Sequence, residues 1–486
     1  MQKILGLSGK EFMTGIAPSS QLQDKGLWHT AQGITVFRNP FLGSDDFGVL
    51  QAAPLPVDIT NGVVDDVPIA WEADVISNSV KKLYVWGSSG QLYVIDISGD
   101  NMPTKLNVSA LGTAANGLFM FKHSTGVKKL YYFRQSDLGW YGNILGTPSF
   151  NTADYTSGIQ TTTWHPTHRV FDRVYFGNGT NVGSVEDNGS GGLTVTASAL
   201  DLTSEERVNC LSDDGTYLVI GATQNTSTDP LVHGKTRILF WDMAQSSWQR
   251  EWPIEDASIL SIKRNGSFME AITTRGSFAF TFASPPVPLL PLMNTADMPD
   301  VQYPTQFAVD LLGGAVAFGG TGKVSTFGKV APQLTTALFQ PFAGFSGSVT
   351  MVAATAKTND LYAGTSNNKL YRVKLSGAGQ TGVSAKTIYI DLGRWFQIGR
   401  VVLGFDGQLA SGDDLSIELQ ADDATSSTAW GSATYTTNGA IRTKEMYGSL
   451  EARKLKLIIN FNGGTPRVRT LDVWGDPIAT PTHTRV

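Results

Sequence analysis

The feature that most constrains this chain is a strand pair that returns about every 45 residues. Leu83-Tyr84-Val85-Trp86, a Gly87-Ser88-Ser89-Gly90 turn and Leu92-Tyr93-Val94-Ile95 make the first pair. Leu130–Phe133, Val174–Gly179, Tyr217–Gly221, Met269–Ile272 with Phe278–Phe280, Ala315–Gly320, and Leu361–Gly364 with Leu370–Val373 continue it. The markers Tyr84, Tyr131, Tyr175, Val219, Ile272, Ala317 and Tyr362 lie 47, 44, 44, 53, 45 and 45 residues apart. One four-stranded propeller blade takes about 40–50 residues, so the interval predicts one blade per unit. The longest interval holds the polar run Gln224–Pro230, read as an inserted loop. The expectation is an all-β chain with a β-propeller of about seven blades, six to eight, over 56–382. A multi-sheet β-sandwich is the alternative, because strands separated by turns show some regularity in any all-β protein.

Composition agrees with short strands and tight turns. The 486 residues include 52 glycines, and 10% are aromatic: 24 Phe, 14 Tyr and 11 Trp. Charged residues are 16%, against roughly 25% in ordinary soluble domains. The net charge is −5, with no Lys/Arg run, which leaves no electrostatic footprint for nucleic acid. The single cysteine, Cys210, excludes an intrachain disulfide framework and reads as a small buried hydrophobe. The opening MQKILGLSGKEFM is too short in apolar residues for a leader peptide, and no apolar stretch reaches membrane-spanning length. Synthesis in a cytoplasm without membrane insertion is therefore expected.

After about residue 385 the rhythm tightens. Thr387–Asp391, Arg400–Phe405, Leu415–Leu419, Leu455–Phe461 and Val468–Gly475 alternate apolar and polar residues, as strands with one buried face do. They predict a C-terminal β-sandwich over 383–476, of jelly-roll or galactose-binding-like topology, followed by a loose tail at 477–486. Residues 1–55 show few strands and are expected to form an extended arm, packed on its own propeller or docked on a neighbouring subunit. The run Pro285–Met293 cannot be helical and is expected to be an apolar, proline-stiffened loop with the same two fates.

Catalytic patterns are weak. Gly313-Gly314 and Gly319-Gly320 lie between strands without the lysine and hydroxyl of a phosphate loop, and no HExxH or G-x-S-x-G elbow occurs. His165-Pro166-Thr167-His168 sets two imidazoles three apart with no Cys or Glu partner, so no metal and no cofactor is assigned. The acidic pairs Asp45-Asp46, Asp65-Asp66, Asp213-Asp214, Asp413-Asp414 and Asp422-Asp423 could supply glycosidase carboxylates, but all fall in turn-like sequence. Ser212–Tyr217 faintly resembles a sialidase Asp-box, with shifted spacing. Trp241-Asp242 resembles the dipeptide of WD40 repeats but occurs once, without the paired Gly-His. No catalytic residue is named, and a non-enzymatic protein is expected.

The segments Asp24–Ala31 and Gly33–Pro40 resemble the opening of propeller-bearing tail proteins of tailed phages, the nozzle proteins among them. Gly399–Phe405 with Leu409–Ile417, followed by the Trp loop Ala429-Trp430-Gly431, is similar to phage tail sandwich modules. The resemblance implies a virion structural subunit, a nozzle- or hub-like ring, hexameric as nozzle rings are, below portal and adaptor. It would meet tail or fibre proteins, guide DNA ejection through a mildly negative lumen, and read no nucleic-acid sequence. Candidate subunit contacts are Trp28, Phe37, Pro288, Leu289, Leu290, Pro291 and Leu292. A rival reading is a receptor-binding tail protein that stacks a host glycan on Trp140, Tyr141, Trp164 and Trp430, residues that equally suit a core. A propeller glycoside hydrolase is the third.

Overall fold

The computed structural model describes residues 1–8, 28–31, 34–37, 47–75, 81–97, 102–106, 115–134, 136–142, 149–161, 164–224 and 235–255. It also describes 258–265, 268–274, 276–291, 306, 308–311, 315–330, 335–354, 360–374, 379–422, 424–435 and 441–479. The described residues are strand, turn and bend, without helix.

Four strands open the chain: β1 (Gln2–Ser8), β2 (Trp28–Ala31), β3 (Ile34–Phe37) and β4 (Phe47–Ala52). A short β5 (Pro56–Asp58) precedes the propeller. Blade one is β6 (Pro68–Val75), β7 (Lys81–Gly87), β8 (Leu92–Asp96) and β9 (Pro103–Leu106). Blade two is β10 (Ala115–Lys122), β11 (Lys128–Arg134), β12 (Asp137–Gly142) and β13 (Ser149–Tyr155). Blade three is β14 (Thr167–Val170), β15 (Arg173–Asn178), β16 (Asn181–Asp187) and β17 (Leu193–Asp201). Blade four is β18 (Glu206–Asp213), β19 (Leu218–Gln224), β20 (Lys235–Trp241) and β21 (Arg250–Ile254). Blade five is β22 (Ile259–Asn265), β23 (Phe268–Thr273), β24 (Gly276–Phe280) and β25 (Val287–Pro291).

The sixth sheet contains β26 (Ala308–Leu311), β27 (Ala315–Val330), β28 (Thr335–Ala354), β29 (Asp360–Thr365) and β30 (Lys369–Lys374), with β5 at its edge. Among the described residues the propeller has six blades, the low end of the expected six to eight. The expected count of about seven fails at one place. Ala317 in β27 and Tyr362 in β29 mark what the sequence reads as two units, but the 20-residue β28 pairs with both strands and fuses them into one sheet. First strands adjoin around the ring in the order β6, β10, β14, β18, β22, β26, and β28 returns to β6.

Stacked blades explain why the marker strands are apolar throughout rather than alternating. A strand with a blade against each face has no wet side. Leu218–Thr223 of β19 and all of β29 are buried, as are Leu83–Gly87 of β7. Outer strands face water on one side, and β17 alternates between exposed and half-buried positions along most of its length. Blade interfaces carry apolar clusters, such as Cys210, Val219, Phe240, Ile259 and Ile262 between blades four and five.

The ring is closed by the N-terminal side of the chain. β5 pairs with β30 through Asp58↔Tyr371 and Pro56↔Val373, so the last blade takes its outer strand from before the first. The Ile59 amide donates to the Leu370 carbonyl at 2.8 Å, and the Leu370 amide to Thr60 Oγ1 at 3.0 Å. At the seam Gly364 lies against Pro68: a Cβ on Gly364 would sit 2.4 Å from Pro68 Cβ. Thr350 Oγ1 donates to the Pro68 carbonyl at 2.6 Å and fixes β6 in that place.

The C-terminal strands are β31 (Val383–Thr387), β32 (Ile390–Phe405), β33 (Asp414–Ala421), β34 (Thr428–Thr434), β35 (Thr443–Gly463) and β36 (Val468–Pro477). They join β1–β4 in one ten-stranded sheet. The expected jelly-roll or galactose-binding-like sandwich is not confirmed by this single hydrogen-bonded network. The 21-residue β35 pairs with β32 along one half and with β31 and β33 along the other, so the ladder does not break. Strict alternation in β33 puts Leu415, Ile417 and Leu419 into a cluster with Leu7, Val401, Leu403, Leu457, Ile459, Leu471 and Val473.

The described strands of the N-terminal segment, expected as an arm, lie in this sheet, and β2 and β3 also approach β28 of the propeller. β1 pairs along β36 from Gln2↔Gly475 to Ser8↔Thr470, β2 pairs with β31, and Leu50 of β4 pairs with Val468. Its apolar Ile4, Leu5 and Leu7 pack against the C-terminal core. Of the expected tail, Pro477 ends β36 and the Ile478 amide bonds the Trp395 carbonyl at 3.1 Å; 480–486 lie outside the described residues.

Candidate functional site

The expected loop at Pro285–Met293 is in its middle a strand. Val287–Pro291 is β25, the outer strand of blade five, in register Ala279↔Val287, Phe278↔Pro288, Ser277↔Leu290 and Gly276↔Pro291 with one irregularity. Proline cannot donate to a ladder, so an outer strand is where a sheet tolerates it, and there it discourages further pairing. Val287 is 58% exposed and Pro288 is exposed. Leu289, Leu290 and Pro291 are placed by their backbone alone; Leu292 lies outside the described residues. Trp28 in β2 and Phe37 in β3 are likewise placed by backbone within the C-terminal sheet.

The four candidate stacking residues are scattered. Tyr141 is buried with its ring centroid 6.4 Å from Tyr84. Trp164 is buried and donates from Nε1 to the Asn209 carbonyl at 3.1 Å. Trp430, buried in the C-terminal sheet, donates to the Met446 carbonyl at 3.3 Å. Trp140 is half-buried, with Lys129 Nζ 4.3 Å from its ring centroid. No common surface unites them.

The histidines brace neighbouring blades. His123 Nδ1 faces Asp187 Oδ1 at 3.0 Å and its Nε2 faces Tyr131 Oη at 3.0 Å. A carboxylate only accepts, so Nδ1 carries a proton toward Asp187. Hydrogen bonds from Ser124 and His123 hold the Asp187 carboxyl well below the usual range. Burial pushes the Tyr131 hydroxyl up, and its side chain is wholly enclosed, so this relay ends in the core. His168 Nε2 donates to Asp213 Oδ2 at 2.6 Å, tying blade three to blade four. That bond lowers the Asp213 carboxyl against burial, which opposes it. His165 turns the other way, stacked 4.5 Å from Phe133 and donating to the Gly177 carbonyl at 2.7 Å. Among the described residues no group of three or more His, Cys, Asp or Glu could hold a metal. Burial pushes the Cys210 thiol up to about 12.

The acidic pairs occupy turns and caps. Asp66 accepts from the Val67 and Ser89 amides and the Ser88 hydroxyl at 2.8–2.9 Å. Asp65 bonds Tyr93 Oη and Lys105 Nζ, each at 2.6 Å. Asp413 accepts from the Ala410 and Thr465 amides, and Asp422 from the Arg453 and Lys454 amides. Asp45, Asp46 and Asp423, the Gly313-Gly314 pair and the 225–230 insertion lie outside the described residues.

A cleft that no linear motif marks opens between blades four and five. It holds about 290 Å³ and is lined by Asp214, Arg264, Phe268, Met269, Thr281, Phe282 and Ala283. Asp214 Oδ1 accepts from the Thr216 and Tyr217 amides, each at 2.8 Å, so the turn between β18 and β19 fixes its carboxylate. Thr281 Oγ1 accepts from the Ala283 and Ser284 amides at 3.2 and 3.0 Å. Phe282 stacks on Tyr217 with centroids 4.6 Å apart and planes 6° apart, and meets Phe240 edge-on at 5.4 Å. Its lining comes from the ends of three hairpin turns, none of which carries a linear motif.

No family model matches the sequence, and no curated protein matches it. Among solved structures, the Neurospora crassa Pan2 WD40 domain is similar at a TM-score of 0.43 and 9% identity, over 66% of this chain and 94% of that one. The Dos1 propeller is similar at 0.38 and 12%, over 62% and 77%. An exo-β-1,3-galactanase from Phanerochaete chrysosporium is similar at 0.36 and 9%, over 87% and 100%.

Proposed function

We propose that the chain is a non-enzymatic structural subunit of a phage tail, a nozzle- or hub-like ring component that contacts portal, adaptor or fibre proteins and guides DNA. The observation that carries this reading is the hairpin of β27 and β28. Their ladder runs from Thr321↔Ser348 to Val330↔Thr335, about 30 Å at 3.3 Å per residue. Val324, Phe342 and Phe345 bury the base with Ala53, Val309 and Val349. Beyond it, Phe327–Val330 and Thr335–Leu338 pair with each other and, among the described residues, with no further strand. A two-stranded ribbon is marginal by itself in water, and its open edges are a template for another chain. The segment resemblance at Asp24–Ala31 and Gly399–Ile417 supplies the choice of particle.

Mass photometry and negative-stain imaging of the full chain, alone and with portal and adaptor proteins, test the reading. Rings or defined assemblies are expected. Replacing 327–338 by an Asn-Gly turn should leave a folded propeller that no longer assembles. Strict monomers under every condition, or unchanged assembly by the shortened hairpin, would refute it.

A further inference from the structure

We propose that the cleft between blades four and five binds a neutral saccharide segment, a ligand class separate from the assembly role. Its lining decides the chemistry. Arg264 is exposed and, among the described residues, forms no ion pair within bonding distance. Asp214 spends one oxygen on two backbone amides, which leaves Oδ2 to accept from a ligand. Thr281 uses its oxygen as an acceptor, so its hydroxyl proton is free to be donated. The floor and walls are carbon: buried Met269, exposed Ala283, and the rings of Phe268 and Phe282.

Elimination narrows the ligand. An anion would meet the fixed Asp214 carboxylate with Asp213 close behind it, and a cation would meet Arg264. A wholly apolar ligand would strip water from a guanidinium and a carboxylate without replacing their bonds. A neutral ring with several hydroxyls and one C–H face answers all three constraints. Vicinal hydroxyls can donate to Asp214 and accept from Arg264 and Thr281, while the C–H face lies on Phe268. Phe268 is half-buried and makes no ring contact among the described residues, whereas Phe282 is already held by Tyr217 and Phe240. The wall is therefore rigid before the ligand arrives, which lowers the cost of binding. The cleft volume is at the lower end of ligand pockets, about 300–1,000 Å³, which fits a short segment rather than a long chain.

Saturation-transfer NMR on the full chain tests this, using di- and trisaccharides of glucose, galactose, mannose and N-acetylglucosamine. Binding of at least one, at millimolar strength or better, is expected. Asp214→Asn retains an oxygen for the two amides, and Arg264→Gln and Phe268→Ala are peripheral changes; each should weaken binding about tenfold or more, or roughly 1.4 kcal/mol. Melting curves matching the parent show that the variants remain folded. Trp140→Ala, on another blade, should leave binding unchanged. No signal from any sugar at about 10 mM, unchanged binding by all three variants, or stronger binding of uronic or sialic acids would each overturn the proposal. Assembly measured in the same variants is expected to be unaffected.

Discussion

Gly364→Ala tests whether the propeller closes by direct contact of its last and first blades. The added Cβ would lie 2.4 Å from Pro68 Cβ and 2.9 Å from Pro68 Cγ, against the about 3.5–4.0 Å of a normal carbon contact. One of the two strands must yield by more than an ångström. Pro68 is a rigid ring, and its carbonyl is held by Thr350 Oγ1 at 2.6 Å, so retreat of β6 stretches that bond. Overpacking of this kind costs about 1–3 kcal/mol and a strained buried hydrogen bond about 1 more. The expected loss is about 2–4 kcal/mol, read from urea unfolding followed by tryptophan fluorescence. Pro68→Gly in the same chain removes the colliding Cβ and should recover at least about 1 kcal/mol of coupling in a double-mutant cycle. Loss below about 0.5 kcal/mol, or strict additivity of the two changes, would show that the seam is not packed as described.

Four further outcomes follow from the geometry. Asp66→Ala removes a buried carboxylate that bonds two amides and a hydroxyl, and should destabilise by about 1–3 kcal/mol in the same assay. Asp187 and Asp213 both have folded carboxyls below their unfolded range, so their contribution is complete above about pH 4 and is lost as pH falls through the lower folded values. Urea midpoints should thus drop more steeply as pH falls below about 4 in the parent than in D187N/D213N. Phe171, 80% exposed at φ 55°, holds a backbone conformation that suits Asn or Gly; Phe171→Asn should raise stability by about 0.5–1 kcal/mol. Cys210 should resist a thiol reagent in the folded protein and react at once in denaturant; prompt native labelling would contradict its burial and its raised pKa.

The propeller is legible because each marker strand must be apolar on both faces, and Tyr84, Tyr131, Tyr175 and Val219 announce that burial at a fixed interval. Its blade number is less legible, since Ala317 and Tyr362 share a sheet only through the length of β28, a property of hydrogen bonding rather than of spacing. Pro288 and Pro291 mislead for a local reason: proline forbids a central strand but not an outer one, and the sequence does not say which strand is outer. The pairing of Leu7 with Leu471 spans nearly the whole chain and has no local signal at all. The cleft is hidden for the same cause. Asp214, Arg264, Phe268 and Thr281 are ordinary turn and strand residues until two blades set them side by side.

Closure by β5 also sets a clock. The strand that completes the ring is made first, and its partner β30 emerges about 310 residues later, some 15–60 s at ordinary elongation rates of roughly 5–20 residues per second. Throughout that interval blades one to five can form while the circle stays open, with Leu83, Tyr93 and Ile95 awaiting the Met351, Tyr362 and Leu370 that will cover them. The exposed flank of blade one during synthesis is therefore the surface on which a chaperone, or a premature neighbour, would first take hold.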